Sequence, residues 1–168
     1  MPLKRYKPTT PGRRHSAALV RRDRGVAEPV RTLLSDKRGK AGRNSAGKIT
    51  VRHRGGGHKR MLRHVDFVQP VLDRPAQVLG IQYDPNRSAD IALLVYPNGQ
   101  KAYTLAVADL KAGDTVTASR AGALPIERGN RMALKHIPAG MLVSNIEIFP
   151  GRAARIARSA GSAATVLS

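Results

Sequence analysis

Residues 52–60 concentrate side chains that could bind a polyanion. Guanidinium groups donate paired hydrogen bonds to phosphate oxygens, and glycine amides add neutral donors. Three successive glycines also let the main chain approach a phosphate without a Cβ in the way. This pattern predicts contact with nucleic-acid phosphates, and a flexible, solvated linker is the alternative. The stretch reads Arg52, His53, Arg54, Gly55, Gly56, Gly57, His58, Lys59, Arg60.

The histidines of this region, His53, His58 and His64, raise the question of a metal site. Transition-metal sites combine neutral imidazoles with carboxylates or thiolates. The neighbouring residues are instead Arg and Lys, and their charge would repel a cation. Among them is Arg63, which we also expect to contact RNA. We therefore expect histidines that contact phosphate or face solvent, and no metal or other cofactor bound by the protein itself.

Residues 42–48 match the first seven positions of a phosphate-binding P-loop, Gly-x-x-x-x-Gly-Lys. The eighth position should be Ser or Thr to bind Mg²⁺, and it is Ile49. A polar basic run precedes the motif and β-branched residues follow it, where a P-loop needs a buried strand and a helix. We therefore exclude a nucleotide hydrolase, and interpret Arg43, Asn44 and Lys48 as contacts along a nucleic-acid backbone.

The residues show no constellation for catalysis. No Ser–His–acid arrangement can be recognised, and none of the 11 acidic residues forms a close carboxylate pair. Asp84 and Asp90 come nearest, and a turn between strands explains them better. We predict a protein that is not an enzyme and has no small-molecule substrate.

Two further segments place basic side chains in irregular chain. Residues 83–89 form a polar turn in which Asn86 and Arg87 could reach a phosphate, while Asp84 either holds Arg87 or caps the turn. Residues 151–161 space three arginines with small residues, which favours close packing onto RNA over a solvated linker. These arginines are Arg152, Arg155 and Arg158.

The charge of the 168-residue chain is unevenly distributed. The formal net charge is +19, of which residues 1–64 carry +16 and residues 65–149 carry none. So much positive charge requires a polyanionic partner. An acidic membrane surface is the alternative to nucleic acid, but Pro2, Pro8 and Pro11 would break an N-terminal amphipathic helix. The absence of Cys excludes disulfides and thiolate metal sites.

The N-terminal part of the chain has few residues that could pack. One aromatic residue, Tyr6, lies between residues 1 and 48. Such a segment buries too little surface to offset its ordering entropy. We expect it to be extended and to become ordered against a partner, with a disordered tail or an organelle transit peptide as alternatives.

The remaining sequence predicts short β-strands. β-branched and apolar runs occupy 48–53, 62–68, 76–83, 89–96, 101–107, 115–117 and 141–149. Asn98-Gly99 between two of these runs predicts a hairpin with a type I′ turn. Short strands separated by Gly/Pro turns are typical of small barrels. We expect one barrel at about 60–120, then a second, incomplete barrel that leaves an unpaired edge at 165–167.

Several of these motifs together resemble the family of large ribosomal subunit protein two, the bacterial-type L-two family. The similarity covers nearly the whole chain in the same order. It includes the N-terminal signature 7–15, which contains Arg13, Arg14 and His15. The other matching stretches are 42–50, 52–59, 83–93, 150–151 and 157–161.

The resemblance implies a mainly β fold, with a long extended basic N-terminal segment (1–60), an OB-like barrel (61–125) and the first strands of an SH3-like barrel (126–168). It implies binding to large-subunit rRNA near the peptidyl-transferase region, alongside neighbouring ribosomal proteins, with any structural Mg²⁺ held by the RNA. The matching residues would be RNA contacts.

Members of this family continue with further barrel strands and a His-Pro-His-Gly-Gly-Gly extension. Either a separate chain carries the C-terminal half of the family, or the protein is a shortened form of it. We expect a separate chain, and we expect it to pair with residues 165–167. The ribosome could be that of a bacterial cytoplasm or of a mitochondrial matrix. The alternative function is that of a mobile OB-type RNA-binding factor, which would bind transiently and would be lost from ribosomes in a high-salt wash.

Overall fold

A computed structural model describes residues 3–19, 28–37 and 39–167. These residues form twelve short β-strands, and no helix among them is longer than a single 3₁₀ turn. The 3₁₀ turns are Arg31–Leu33 and Leu134–His136. The strands are β1 Leu3–Arg5, β2 Ala17–Leu19, β3 Leu34–Lys37, β4 Arg60–Arg63, β5 Ala76–Gln82, β6 Ile91–Val95, β7 Lys101–Leu105, β8 Thr115–Val116, β9 Leu142–Val143, β10 Ile146–Glu147, β11 Ala154–Ile156 and β12 Ala164–Thr165.

The centre of the fold is a four-stranded antiparallel sheet in the order β7-β6-β5-β8. Strand β6 pairs with β7 through Leu93 and Tyr103, and with β5 through Leu94 and Val78. A register shift in β5 between Val78 and Gly80 marks a bulge, which bends a strand and increases its twist. The sheet curls into a half-barrel, and the predicted mainly β fold with an OB-like domain is confirmed.

Strand β6 is buried on both of its faces. Ile91 and Leu93 pack with Tyr103 in one apolar cluster, whereas Ala92 and Leu94 pack in another cluster with Val78 and Val116. A strand covered on both sides reads as a continuous apolar run, as residues 91–96 do. The two clusters form the interior of the OB-like domain.

The hairpin predicted between β6 and β7 is confirmed, but the predicted turn type is wrong. Of Asn98 and Gly99, only the glycine has a positive φ, of 79°. The Gly99 amide donates to the Tyr96 carbonyl at 2.9 Å, and the Tyr96 amide donates to Gln100. This is a type I turn followed by a left-handed glycine. Pro97 favours it, because proline fixes φ near −65° at the first turn position.

Residues 28–37, which lie in the segment predicted to be extended, pack against the barrel. Strand β3 pairs with β4 over four residues, and Val30 and Leu33 pack against the cluster around Tyr103. The Tyr103 hydroxyl accepts the Val30 amide at 3.0 Å and donates to Gln82 Oε1 at 2.8 Å. This part of the segment predicted to be extended therefore lies against the barrel, because β3 obtains its partner 23 residues further along the chain.

The strand predicted over 48–53 is absent. Ile49 makes one isolated bridge to Arg43, and the amides of Thr50 and Val51 donate to the Gly42 carbonyl. Ile49 and Val51 are exposed. Their β-branched side chains indicated a strand, but these amides are taken up by a local turn rather than by a neighbouring strand.

The C-terminal residues form two small two-stranded sheets. The run predicted as one strand over 141–149 is divided into β9 and β10 at Asn145, whose φ is +54°. β10 pairs with β11, and β9 pairs with β12. The expectation of an unpaired edge at 165–167 is therefore wrong for Thr165, which pairs with Leu142, and for Val166, which exchanges hydrogen bonds with Gly140 and Met141.

A parallel bridge between Ala118 and Arg131 joins the central sheet to this C-terminal region. The Arg131 amide donates to Thr117 at 2.9 Å, and the Ser119 amide donates to Arg131 at 2.8 Å. Residues 119–130 therefore form a loop that begins and ends at this bridge.

In the part of the chain that the structure describes, no helix is long and apolar enough to span a membrane.

Candidate nucleic-acid interface

Strand β4 and the turn after β5 bring several predicted RNA-binding residues together. The Arg60 guanidinium donates to the Pro85 carbonyl at 2.9 Å. The Asn86 side-chain amide donates to the Met61 carbonyl at 2.7 Å. Arg63 lies 3.9 Å from the Asp84 carboxylate. Residues 60–63 and 84–87 therefore form one surface, which we call the β4–turn surface.

The buried carboxylate of Asp84 holds side chains of the β4–turn surface in place. Its side chain is 0% exposed, and it accepts hydrogen bonds from Arg87 Nε at 2.5 Å and from the Asn86 amide at 2.9 Å. The two roles left open from the sequence are therefore combined: Asp84 both caps the turn and holds Arg87. A buried carboxylate of this kind needs paired donors, because desolvating an unpaired charge is costly.

The ionisation of Asp84 is favoured by these contacts. Burial alone would raise the pKa of this carboxyl, but the Asn86 backbone, Arg87 and Asn86 side-chain hydrogen bonds outweigh burial and lower the pKa below its ordinary value. The charge is therefore kept, and it orients Arg87.

The ring of Phe67 connects the β4–turn surface to the C-terminal region. The Arg87 and Arg158 guanidinium carbons lie 5.5 Å and 4.8 Å from the ring centroid, within cation–π distance. The Ala160 amide also donates to Ser88 Oγ at 3.1 Å. The structure thus brings Arg87 and Arg158 to the same aromatic ring, although 70 residues separate them in sequence.

Arg131 and Glu147 form a second contact between the same two regions. Their side chains pair at 2.6 Å, and the Arg131 guanidinium also donates to the Phe67 carbonyl at 3.0 Å. Burial lowers the pKa of Arg131, while the carboxylate of Glu147 opposes that shift. Glu147 also accepts the Gly151 amide at 2.7 Å. These side chains fix the start of the segment that carries Arg152, Arg155 and Arg158.

Arg152 and Arg155 are the other two arginines of the C-terminal segment. Arg152 is exposed and stands 5.9 Å from the Phe149 ring. Arg155 is an exposed residue of β11. Both side chains remain available to a partner, and their predicted contacts with RNA stay predictions.

Residues 40–51 form a loop closed by its own hydrogen bonds, which we call the 40–51 loop. Asn44 pairs with Lys48: the Asn44 amide donates to the Lys48 carbonyl at 3.0 Å, and the Lys48 amide donates to Asn44 Oδ1 at 2.9 Å. The Gly47 amide donates to the Asn44 carbonyl. A P-loop would direct these amides at a phosphate and continue into a helix. Here they bind the loop itself.

Residues 52–59, the central part of the predicted RNA-binding stretch, follow this loop and precede β4. Every residue from 51 to 60 is exposed. A Cβ built on Gly55 or Gly57 would meet nothing within 4 Å, and one on Gly56 would approach only Ala41, at 3.9 Å. Among the described residues, therefore, no neighbouring atom requires glycine at 55–57, and the predicted role of these glycines in close approach to RNA stays a prediction. The exposed residues here include Arg52, His53, Arg54, His58 and Lys59.

Arg13, Arg14 and His15 lie in the turn between β1 and β2. All three residues are exposed, and the Arg13 guanidinium stands 5.1 Å from the Tyr6 ring. β1 pairs with β2 in a separate two-stranded sheet. These residues therefore belong to a hairpin of their own, not to the β4–turn surface.

Sequence reasoning missed several residues that shape the interface. Lys37 on β3 donates to Asn86 Oδ1 at 2.9 Å, and Lys40 lies beside Arg43 in the 40–51 loop. Phe67 and Glu147 lie in the runs 62–68 and 141–149, which the sequence predicts as strands. An Asx pattern such as Asp84-Pro85-Asn86 does signal a turn that binds its own side chains, but the partners of Phe67 are distant in sequence.

Comparison with protein-family models gives two matches. Residues 30–118 match a model described as the RNA-binding N-terminal domain of Ribosomal Proteins L2. Residues 127–168 match a model described as the C-terminal domain of Ribosomal Proteins L2. The first match includes β3, the 40–51 loop, the β4–turn surface and the central sheet.

Proposed function

Since the chain belongs to the ribosomal protein L2 family, a family of RNA-binding structural components of the large ribosomal subunit, we propose that it organises large-subunit rRNA near the peptidyl-transferase region. Its basic residues neutralise phosphates between RNA helices, and the barrel fixes their register. The observation that carries this proposal is the uninterrupted exposure of residues 51–60, which are held between the 40–51 loop and β4.

The mechanism is charge neutralisation by a positioned segment. Arg52, Arg54 and Lys59 can reach RNA without giving up a hydrogen bond that supports the barrel. Arg60 and Arg87, in contrast, already donate hydrogen bonds within the β4–turn surface, to the Pro85 carbonyl and the Asp84 carboxylate respectively. Each phosphate contact releases condensed counterions, so affinity falls steeply as salt concentration rises. The β4–turn surface adds arginines whose orientation is fixed before RNA arrives.

The decisive experiment changes charge without changing the barrel. The variant Arg52→Gln/Arg54→Gln/Lys59→Gln should bind a large-subunit rRNA transcript more weakly and with a salt dependence reduced by about 0.7–0.9 logarithmic units per lost contact. The matched control removes three exposed lysines elsewhere, as Lys101→Gln/Lys111→Gln/Lys135→Gln. Equal losses in both variants would show a non-specific charge effect and would contradict the proposal.

Stable membership of the subunit separates this function from that of a mobile factor. After a high-salt wash, the protein should remain with purified large subunits. A mobile factor held by 6–10 phosphate contacts would lose roughly 10³–10⁵ in affinity between 50 and 200 mM salt. Complete release from intact subunits would contradict a structural role.

We further propose that a separate chain, carrying the C-terminal half of the family, covers the C-terminal sheets. Leu142 is 72% exposed and Leu167 is 85% exposed, and Ile148, Phe149 and Ile156 are also exposed. β9 and β12 form a two-stranded sheet, so each offers its outer edge to a further strand. This apolar surface supports docking by another polypeptide segment.

Cross-linking tests this completion. A photoreactive residue at position 167, introduced into the chain within intact ribosomes, should link to a polypeptide containing the remaining family motif. The control position is Lys111, which is exposed beside the central sheet. A position-167 probe that links only to rRNA would contradict completion by protein.

A further inference from the structure

The shape of the 40–51 loop depends on one carbonyl group. The Gly42 oxygen accepts hydrogen bonds from the Thr50 amide at 2.8 Å, the Val51 amide at 3.1 Å and the Thr50 hydroxyl at 3.2 Å. Together with the reciprocal Asn44–Lys48 pair, these bonds close the loop without a partner molecule. The loop is therefore a preformed unit within a segment that was expected to become ordered only on RNA.

Gly42 is required at this position for a steric reason. Its φ is +68°, and a Cβ there would lie 2.4 Å from the Val51 carbonyl oxygen, a main-chain atom. A side chain at 42 would thus force the two ends of the loop apart. Gly39, three residues earlier, has open space around it.

Burial of apolar surface does not explain this loop. Ile49 is 63% exposed and Val51 is also exposed. Local hydrogen bonds at exposed positions contribute little net stability, since water competes for the same groups. Because the loop has a defined shape and buries little apolar surface, we attribute that shape to the side chains that the loop exposes to a partner.

The loop borders an open cleft that carries cationic side chains. Its volume is about 330 Å³, and the described residues that line it offer two cations, an amide and a hydroxyl: Lys40, Arg43, Asn44 and Ser45. Asn44 Oδ1 is occupied by the Lys48 amide, which leaves the Nδ2 group as a donor. The sequence contains no acidic residue between Asp36 and Asp66. The charge of the lining is therefore not neutralised by neighbours along the chain.

We propose that the 40–51 loop is a phosphodiester-binding site formed before RNA binds, with Gly42 as its positioning residue. The proposal rests on the proposed function and deepens it, because it names one site at which the RNA backbone docks. Side chains, rather than a cradle of main-chain amides, contact the phosphate. A preformed site also avoids part of the ordering entropy that an extended arm would have to lose on binding.

The main variant changes the shape of the loop and keeps every charge, and a second variant removes one charge and keeps the glycine. In the full chain, Gly42→Ala should weaken binding to a large-subunit rRNA transcript by about tenfold, the loss expected for one charge-assisted hydrogen-bonded contact. Gly39→Ala, the matched control, should bind like the wild type. Arg43→Gln keeps the glycine and should weaken binding similarly. NMR signals of Tyr103 and Ile91 should be unchanged in all three variants, which shows that the barrel remains folded.

A second readout uses inorganic phosphate in place of RNA. In the free wild-type chain, the amide signals of residues 42–51 should be dispersed, and phosphate should shift those of residues 40–45. Gly42→Ala should remove both effects. Random-coil signals in the free wild type, or equal rRNA affinity of Gly42→Ala and Gly39→Ala, would overturn the proposal. Phosphate shifts at the loop without any binding of rRNA would support the site and refute the proposed function.

Discussion

The central sheet and the 40–51 loop are held in different ways. Strand β6 buries Ile91 and Leu93 on one face and Leu94 on the other, whereas the loop exposes Ile49 and Val51 and is closed by bonds to the Gly42 carbonyl. The first region derives its stability from apolar burial, and the second derives its shape from local geometry. Folding and RNA binding should therefore respond to different substitutions.

The largest expected effect lies in the sheet. Leu93→Ala should lower the free energy of unfolding by about 2–5 kcal/mol, because it removes a buried side chain and leaves a cavity. Urea unfolding of the purified chain measures this loss. Leu142→Ala, at an exposed position, should change stability by no more than about 0.5 kcal/mol. Equal effects of the two variants would remove the distinction between the buried sheet and exposed chain.

A smaller loss is expected from Tyr103→Phe. The Val30 amide and Gln82 Oε1 would each lose a partner, and an unsatisfied buried group costs about 1–3 kcal/mol. Hydrogen exchange should show residues 30–37 opening before the sheet does. Tyr6→Phe, in the N-terminal hairpin, serves as the control. If exchange at residues 30–37 did not change, the hydroxyl would not be what ties this segment to the barrel.

Asp84→Asn tests whether the β4–turn surface depends on a charge. Because the pKa of Asp84 is lowered on folding, its stabilising contribution is present above the ordinary value of 3.8 and is lost as pH falls through the folded-state value. The wild type should be more stable than the variant at pH 7, and the two should converge in acid. Urea unfolding at several pH values measures this. A stability difference that does not depend on pH would show that ionisation of Asp84 contributes nothing.

The smallest effect should come from the loop. Ile49→Ala should change the free energy of unfolding by no more than about 0.5 kcal/mol, since the side chain is already exposed. Thermal unfolding of this variant beside the wild type is sufficient. A loss comparable to that of Leu93→Ala would mean that the loop is held by apolar packing after all.

The strands of the sheet could be predicted from the sequence, but part of the fold could not. Residues 76–82, 91–95 and 101–105 show apolar patterning that fits only strands in this setting, and their hairpins connect neighbours in sequence. Strand β3 was missed because its partner β4 is distant and its own pattern is short. Ile49–Val51 was assigned wrongly because β-branched residues also fit an exposed turn.

The candidate site was predictable in composition and less so in arrangement. Runs of arginine and glycine indicated RNA binding, and the family matches agree with that at the level of the domains. Sequence could not show that Arg87 and Arg158 share the Phe67 ring, because that contact needs the chain to return across 70 residues. Nor could it show that Gly42, rather than a charged residue, fixes the loop.

The bridge between Ala118 and Arg131 closes residues 119–130 into a loop whose two ends are held together. Hydrogen bonds on both sides of this bridge join the two ends of the loop, and residues 120–123 within the loop are exposed. We expect proteolysis within residues 120–123 to leave two fragments that these hydrogen bonds still hold together. We expect residues inserted there to lengthen the loop without moving the strands on either side.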